Sequence, residues 1–117
     1  MNPFQAAEQL LVDQIQRHGA DVVLVNDTGT RIPLKASIGQ SETEQSAPGS
    51  ASLPLTIVRT TDFLIATADL NTYEITRGCR IEFNGQRYQP ASPNGQPLCR
   101  DSGRFGLVTR IHAVSVH

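Results

Sequence analysis

The alternation of apolar and polar residues is clearest at residues 78–91, GCRIEFNGQRYQPA. Asn84–Gly85 suits a two-residue type I′ turn, because both residues tolerate the positive φ angles that this turn requires. Such a turn predicts three cross-strand pairs: Phe83 with Gln86, Glu82 with Arg87, and Ile81 with Tyr88. One face of the pair is then apolar and the other charged. The pattern therefore predicts a β-hairpin with one buried face.

A helical pattern opens the chain and predicts a helix over residues 3–18. Asn2 suits the cap of this helix, Pro3 its first position, and Gly19 the residue after its end. Apolar residues recur at helical spacing and form a stripe made of Phe4, Ala7, Leu10, Leu11 and Ile15. We expect the stripe to pack against a sheet; the alternative is a partner groove or a subunit contact.

Short runs with strand patterning fill most of the remaining chain. The predicted strands are 21–25, 31–37, 53–59, 63–68, the two strands of the hairpin, and 105–116, with Thr60–Asp62 as a short turn. Pro33 lacks an amide donor, which favours an edge strand. The apolar run Phe63–Ala66 indicates a central strand. The predicted fold class is mainly β: a small antiparallel β-barrel or sandwich with one N-terminal α-helix and a long flexible loop.

Residues 39–52, GQSETEQSAPGSAS, interrupt the strand pattern. They contain no large apolar side chain, so nothing there offsets the entropy of ordering, and we expect a flexible loop. A loop of this length in a small domain is often functional. It either orders against a partner subunit or is a tolerated insertion.

The length of 117 residues predicts a single domain over 1–117, with a β core over 53–117. The sequence contains neither an apolar run long enough for a membrane span nor a secretory signal pattern. Cys79 and Cys99 are too few for a disulfide scaffold, which favours synthesis in a reducing cytoplasm. We therefore expect no membrane partner.

Charge is distributed unevenly along the chain. Residues 1–75 hold nine acidic and four basic side chains, whereas residues 76–117 hold six arginines and two acidic side chains. One interpretation is an ordinary solvated surface, because a linear asymmetry need not survive folding. The other is head-to-tail packing of subunits, in which an acidic flank meets a basic neighbour.

Catalytic and metal-binding patterns were sought and are not supported. Asp101, Ser102 and His112 offer the residue types of a hydrolase, but Ser102 lacks the G-x-S-x-G context. The metal candidates are Cys79, Cys99, His112 and His117. They lack C-x-x-C spacing, and the two histidines fall on opposite faces of a regular strand. There is no phosphate-binding loop or dinucleotide fingerprint. We predict no enzyme activity, no cofactor and no metal.

An ordered set of motifs then carries a family resemblance. The motifs are TDFLIATADL ending at Leu70, Arg77–Ile81 (RGCRI), Gly85–Tyr88 (GQRY), Arg104–Phe105, and Thr109–His112 (TRIH). This order resembles tailed-phage proteins of the head–tail joining class, also described as head-completion or stopper proteins of the neck. The resemblance covers roughly residues 53–113. Two departures are Cys79, where an acidic residue is usual, and residues 97–100 (PLCR), which replace an aromatic-rich segment.

The resemblance implies a structural role in the virion neck, as part of a homo-oligomeric ring that closes the portal channel and joins head to tail. It implies portal or adaptor proteins and tail proteins as partners, and non-specific contact of lumen-facing arginines with packaged DNA. The expected interface residues are Gln40, Ser41, Glu42, Thr43, Glu44, Gln45, Arg77, Arg80, Arg87, Arg100 and Arg104. Two alternatives stay open: a tail terminator or other tail-end protein, and a cellular β-barrel module that binds peptides.

Overall fold

Seven strands and two helices lie in the residues that the computed structural model describes, namely 3–45, 56–70, 73–92, 97–101 and 105–116. The helices are α1 (Pro3–His18) and α2 (Thr67–Leu70). The strands are β1 (Ala20–Val25), β2 (Arg31–Gln45), β3 (Thr56–Ala66), β4 (Arg80–Phe83), β5 (Gln86–Pro90), β6 (Cys99–Asp101) and β7 (Val108–Val116). No described helix is long and apolar enough to cross a membrane.

All seven strands belong to one antiparallel sheet, in the order β3-β2-β1-β4-β5-β7-β6. A further ladder between β3 and β7, from Thr61↔Ala113 to Ala66↔Val108, closes six of the strands into a barrel. The seventh strand, β6, pairs with β7 outside this closed set. The predicted mainly β fold is confirmed, and of the two predicted architectures the chain adopts the barrel.

The barrel is filled by apolar side chains that alternate along its strands. The largest of them is Phe63, which is 0% exposed. Its ring makes edge-on contacts with Phe83 and Tyr88, with centroids 6.1 and 5.3 Å apart. Phe63 therefore links β3 to the β4–β5 hairpin across the interior, and this contact fixes two distant parts of the chain together.

The predicted hairpin is confirmed in turn and in register. Asn84 and Gly85 have φ angles of 54° and 77°, as the type I′ turn requires. The three pairs are those expected from the sequence: Phe83↔Gln86, Glu82↔Arg87 and Ile81↔Tyr88. Ile81 is fully buried. Here the turn residues and the period-two pattern agree, so a local signal is enough to set the pairing.

The predicted N-terminal helix is confirmed, but most of its predicted packing face is wrong. Ile15 is buried as expected, yet Phe4 and Leu10 are 69% and 65% exposed. The helix buries Val12 with Ile15 against Ala66 and Val108 of the barrel wall. A polar contact explains this orientation of the helix. The Glu8 carboxylate accepts hydrogen bonds from the backbone amides of Phe105 and Leu107, at 3.2 and 2.8 Å. This contact turns the Glu8 face of the helix toward the barrel.

The predicted flexible loop over residues 39–52 is wrong at its N-terminal end. Residues 39–45 are the second half of β2 and pair with residues 56–62 of β3 in an unbroken register, from Gly39↔Asp62 to Gln45↔Thr56. The side chains of this stretch give no strand signal, because none of them is large and apolar. Backbone hydrogen bonds to the partner strand supply the order instead. Residues 46–52 lie outside the described residues.

β3 is also longer than predicted. Thr60–Asp62 was expected to be a turn, but it is extended strand, and the side chains of Thr60 and Asp62 are buried. The prediction for Pro33 agrees with the structure: among the described pairings, residues 31–36 of β2 pair only with β1. The apolar run Phe63–Ala66 is central, because β3 has β2 on one side and β7 on the other.

Candidate functional site

Five polar side chains from three strands form a buried cluster around one carboxylate. We call Ser41, Thr60, Asp62, Arg110 and His112 the Asp62 cluster. Asp62 is 0% exposed and His112 is 2% exposed. Oδ1 accepts a hydrogen bond from Thr60 Oγ1 at 2.8 Å and lies 3.0 Å from His112 Nδ1. Oδ2 accepts hydrogen bonds from Arg110 Nη1 at 2.6 Å and from Ser41 Oγ.

These contacts require an ionised carboxylate. Burial by itself raises the pKa of Asp62, but hydrogen bonds from Ser41, Thr60, His112 and Arg110 outweigh it and hold the pKa below the ordinary value of 3.8. An ionised carboxylate only accepts hydrogen bonds, so His112 donates from Nδ1. Within the described part of the chain, His112 Nε2 has no hydrogen-bond partner. The cluster therefore places a fixed negative charge inside the protein and compensates it.

The β2–β3 pair extends beyond the barrel wall. The ladder with β7 ends at Thr61, so residues 56–60 of β3 pair only with β2 among the described strands. We call residues 40–45 and 56–60 the arm. The predicted interface residues Gln40–Gln45 all belong to it, and Gln40 and Glu42 are exposed. The structure thus brings these six residues together on one two-stranded projection.

The charge asymmetry of the sequence is also an asymmetry in space. In the sheet order, β1, β2 and β3 are neighbours, and β4, β5, β7 and β6 are neighbours. We call the side formed by α1, β1–β3 and α2 the acidic flank, and the side formed by β4–β7 with residues 76–79 the basic flank. Because consecutive elements remain adjacent, the acidic and basic halves of the chain occupy different sides of the barrel.

Ion pairs neutralise most of the basic residues on the acidic flank. Three of its basic side chains lie in pairs: Lys35 with Asp21 at 2.5 Å, Arg59 with Glu42 at 3.0 Å, and Arg31 with Glu82 at 2.8 Å. The last pair crosses from β2 to β4, over β1. Hydrogen bonds from Arg31 are the main reason that the pKa of Glu82 lies below its ordinary value. Among the described residues of α1, β1–β3 and α2, more acidic side chains (Glu8, Asp13 and Asp69) than basic ones (Arg17) lie outside ion pairs.

The predicted interface arginines lie on the basic flank. Arg77 precedes β4, Arg80 lies in β4, Arg87 in β5 and Arg100 in β6, whereas Arg104 lies outside the described residues. Arg77, Arg87 and Arg100 are exposed, and none of the three has an ion pair within the described ranges. Arg80 Nη1 donates to the backbone oxygens of Arg77 and Cys79. The basic flank thus presents arginine charge to its surroundings.

Exposed apolar side chains lie on α1 and on the neighbouring strand β2, and we call this set the apolar strip. It consists of Phe4, Leu10, Leu11 and Ile38, which are among the large apolar side chains that the described structure exposes. Leu11 and Ile38 line a shallow groove of about 250 Å³ between α1 and β2. Because α1 and β2 belong to the acidic flank, apolar and acidic surface adjoin there. Exposed apolar side chains grouped in this way are typical of a contact surface.

The structure does not bring together those catalytic and metal candidates that it describes, and His117 lies outside the described residues. His112 binds Asp62, and Ser102 lies outside the described residues. Among described residues there is no group of three His, Cys, Asp or Glu side chains placed to hold a metal ion. Cys79 is buried beneath the hairpin, and burial with the nearby charge of Asp101 raises the pKa of the Cys99 thiol. The raised pKa of Cys99 disfavours the thiolate form that a nucleophile needs.

The sequence interpretation missed the Asp62 cluster. A signal was present, because Asp62 immediately precedes the apolar run of β3, and Arg110 and His112 alternate with the buried residues of β7. Charged residues at face positions of central strands need partners from neighbouring strands. Which strands are neighbours was not evident from the sequence, so the five residues could not be grouped.

Comparison with known proteins identifies one family. The phage head-tail joining protein family matches residues 1–117, which is the whole chain. No curated protein matches the chain significantly. The chain belongs to the phage head-tail joining protein family, as the resemblance of its motifs predicted. It is a structural, non-enzymatic virion component of the head–tail junction, where it contacts head and tail proteins. Membership in this family excludes the cellular peptide-binding module.

Proposed function

We propose that this head–tail joining protein forms a homo-oligomeric ring in the phage neck, below the portal, where the ring closes the portal channel and offers a docking surface to the tail. The observation that carries the proposal is the separation of the acidic flank from the basic flank on one barrel. Complementary surfaces on different sides of a subunit favour a head-to-tail contact between identical copies. Such contacts generate a ring when the rotation closes.

The contact between copies would combine charge with apolar burial. Arg77, Arg87 and Arg100 on the basic flank would face the acidic flank of the next copy. The apolar strip lies on that acidic flank, so a second copy is the occupant that we assign to it. Burial of the strip would supply affinity, while the charges would set orientation.

The arm would make the remaining contacts in the neck. Gln40–Gln45 are polar and belong to the strand pair that extends beyond the barrel wall. Their partner strand β3 has a backbone edge there that β7 does not cover. Uncovered strand edges bind other backbones readily. We assign the arm to contacts with neighbouring copies and with the portal, adaptor or tail proteins of the virion.

Charge reversal on the basic flank tests the ring. A variant with Arg77→Glu, Arg87→Glu and Arg100→Glu is expected to sediment as a monomer, and phage complemented with it should accumulate heads without tails. A variant with lysine at the same three positions (Arg77→Lys, Arg87→Lys and Arg100→Lys) keeps the charge, is the matched control and should assemble normally. Electron microscopy of the purified protein shows whether rings form, and plaque titre measures infection by the complemented phage. Normal rings together with normal titre in the triple variant would refute the head-to-tail contact.

The same variant separates subunit contact from contact with DNA. If rings form but filled heads leak DNA, the arginines face the lumen, and their phosphate contacts should weaken as salt concentration rises. That result would refute the subunit role of the arginines. Location separates a neck ring from a tail terminator: we expect the protein on filled, tailless heads, whereas its recovery on free tails would overturn the neck assignment.

Arm truncation tests the arm directly. Replacing residues 42–59 by Asn-Gly leaves Ser41 opposite Thr60 and copies the geometry of the native Asn84–Gly85 turn. The shortened protein should keep its barrel, seen as an unchanged near-ultraviolet circular dichroism spectrum, but should fail to complement infection. Full infectious titre with the shortened protein would show that the arm is dispensable.

A further inference from the structure

Asp62 lies where the arm leaves the barrel. Thr61 is the last residue of β3 that pairs with β7, and Ser41↔Thr60 is the first arm pair beyond it. The carboxylate is one residue inside this boundary. It can therefore reach the root of the arm on one side and the barrel wall on the other.

Each oxygen of the carboxylate joins the arm to β7. Oδ1 accepts from Thr60 Oγ1 on the arm and from His112 Nδ1 on β7, at 2.8 and 3.0 Å. Oδ2 accepts from Ser41 Oγ on the arm and from Arg110 Nη1 on β7. Ionised carboxylates have room for four such donors. Both strands of the arm are thus held by the same charged group.

The β7 partners are themselves fixed. The backbone oxygen of His112 accepts from the amide of Ala91 at 2.8 Å, and its amide donates to the Leu98 oxygen at 3.3 Å. Arg110 is opposite Leu64 in the β3–β7 ladder. Hydrogen bonds to an ionised group in a dry environment are stronger than neutral ones. The Asp62 cluster is consequently a rigid attachment point.

The arm needs such an attachment because its own contacts are weak. Two strands without further neighbours are marginally stable in water. The described cross-strand pair of the arm, Glu42 with Arg59 at 3.0 Å, is exposed on both sides, and exposed pairs contribute little. Gln40 and Ser41 add no apolar burial. The contacts at its root therefore add to the order that the β2–β3 backbone pairing supplies.

We infer that Asp62 is a positioning residue, which fixes the arm to the barrel by binding Ser41 and Thr60 of the arm to Arg110 and His112 of β7. The inference goes beyond the proposed neck function and rests on it only for the biological use of the arm. It concerns the isolated chain, so it can be tested without assembly.

Amide hydrogen exchange on the purified protein tests the inference. In Asp62→Asn, the arm amides are expected to exchange about tenfold faster or more than in wild type, because charged hydrogen bonds are lost. Amides of β1, β4 and β5 should stay within about twofold. Asp21→Asn is the matched control: Asp21 is also a strand carboxylate with a basic partner, but it is exposed, so its replacement should leave the arm amides unchanged. Equal acceleration in all strands, or none in the arm, overturns the inference.

A second variant covers the case in which Asp62→Asn does not fold. Ser41→Ala with Thr60→Val removes only the donors on the arm and keeps the Arg110 and His112 contacts. It should accelerate exchange in the arm alone, and protected arm amides in this variant would refute the inference. If the arm loosens while infectious titre stays normal, Asp62 has the inferred role, and the proposed use of the arm in assembly is wrong.

Discussion

The β4–β5 hairpin and the arm are two antiparallel strand pairs in one sheet, yet they are held in different ways. The β4–β5 hairpin has a turn made for its register, Asn84–Gly85, and buries Ile81 in the barrel. The described side chains of the arm are polar, and the arm is attached to the barrel through hydrogen bonds to the buried carboxylate of Asp62. One pair is fixed by local turn chemistry and apolar burial. The other depends on a tertiary contact.

This difference explains where stability and adaptability are located. Apolar burial is non-directional and tolerates small shifts, whereas the Asp62 cluster works only when four donors meet one carboxylate. A hairpin of the first kind suits a constant framework. An arm of the second kind can be loosened without unfolding the barrel, which suits a segment proposed to contact other virion proteins.

The largest expected effect is the loss of the contact that links the hairpin to β3, the strand that continues into the arm. Phe63→Ala removes the ring that packs against Phe83 and Tyr88 and leaves a cavity at the centre of the barrel. We expect a loss of about 3–5 kcal/mol in the free energy of unfolding, measured by urea denaturation. A loss below about 1 kcal/mol would mean that the barrel collapses around the gap and that Phe63 is not the link.

Acid should weaken the attachment of the arm, because protonation of Asp62 removes its charged hydrogen bonds. The pKa of Asp62 is below 3.8 in the folded state and near 3.8 when unfolded. Well above pH 3.8 the carboxylate is ionised in both states, so its contribution is fully present. Below 3.8 the unfolded chain takes up the proton first, and the contribution falls until the folded pKa is passed.

The comparison that isolates this effect is wild type against Asp62→Asn. The difference between their unfolding free energies should shrink as the pH falls from about 5 towards 2. Other carboxylates titrate in both proteins and cancel in the difference. A difference that does not change down to about pH 2 would rule out an ionised Asp62 as its source.

A smaller effect is expected at the turn of the β4–β5 hairpin. Gly85→Ala places a side chain in a left-handed conformation, with φ at 77°, and should cost about 1–2 kcal/mol in thermal or urea unfolding. Gly39→Ala at the arm boundary is the control. A Cβ there would lie 4.0 Å from Leu64 Cδ1, an ordinary contact, and the backbone is not left-handed. Equal losses of unfolding free energy in the two variants would contradict the conclusion that the Asn84–Gly85 turn fixes the hairpin.

The smallest effect is expected from the exposed ion pair between Arg31 and Glu82. Glu82→Gln removes the charge but keeps the shape, and solvent already screens both groups. We expect no measurable change in the unfolding midpoint at physiological salt and a slight decrease at low salt. A clear loss at high salt would contradict this expectation, because an interaction that salt does not screen is not a surface charge effect.

Much of the fold could be predicted where short-range patterns carry the information. The helix bounds, the β4–β5 register and the central position of Phe63–Ala66 all follow from capping residues, turn residues and periodicity. The candidate site could be predicted only in part. The arginines and Gln40–Gln45 were identified as interface candidates, but the second half of β2 was expected to be a loop, because a polar strand leaves no periodic apolar signal.

The sequence by itself determined the β class, the N-terminal helix and the charge of each half of the chain, since these depend on neighbouring residues and on counting. Tertiary structure alone decided three things: which face of α1 is buried, that polar residues 39–45 form a strand, and that Asp62 meets donors from β2 and β7. Each of these depends on contacts between residues far apart in the chain. Hydrogen bonds and burial act at distances of a few ångströms, so their partners become known only when the barrel closes.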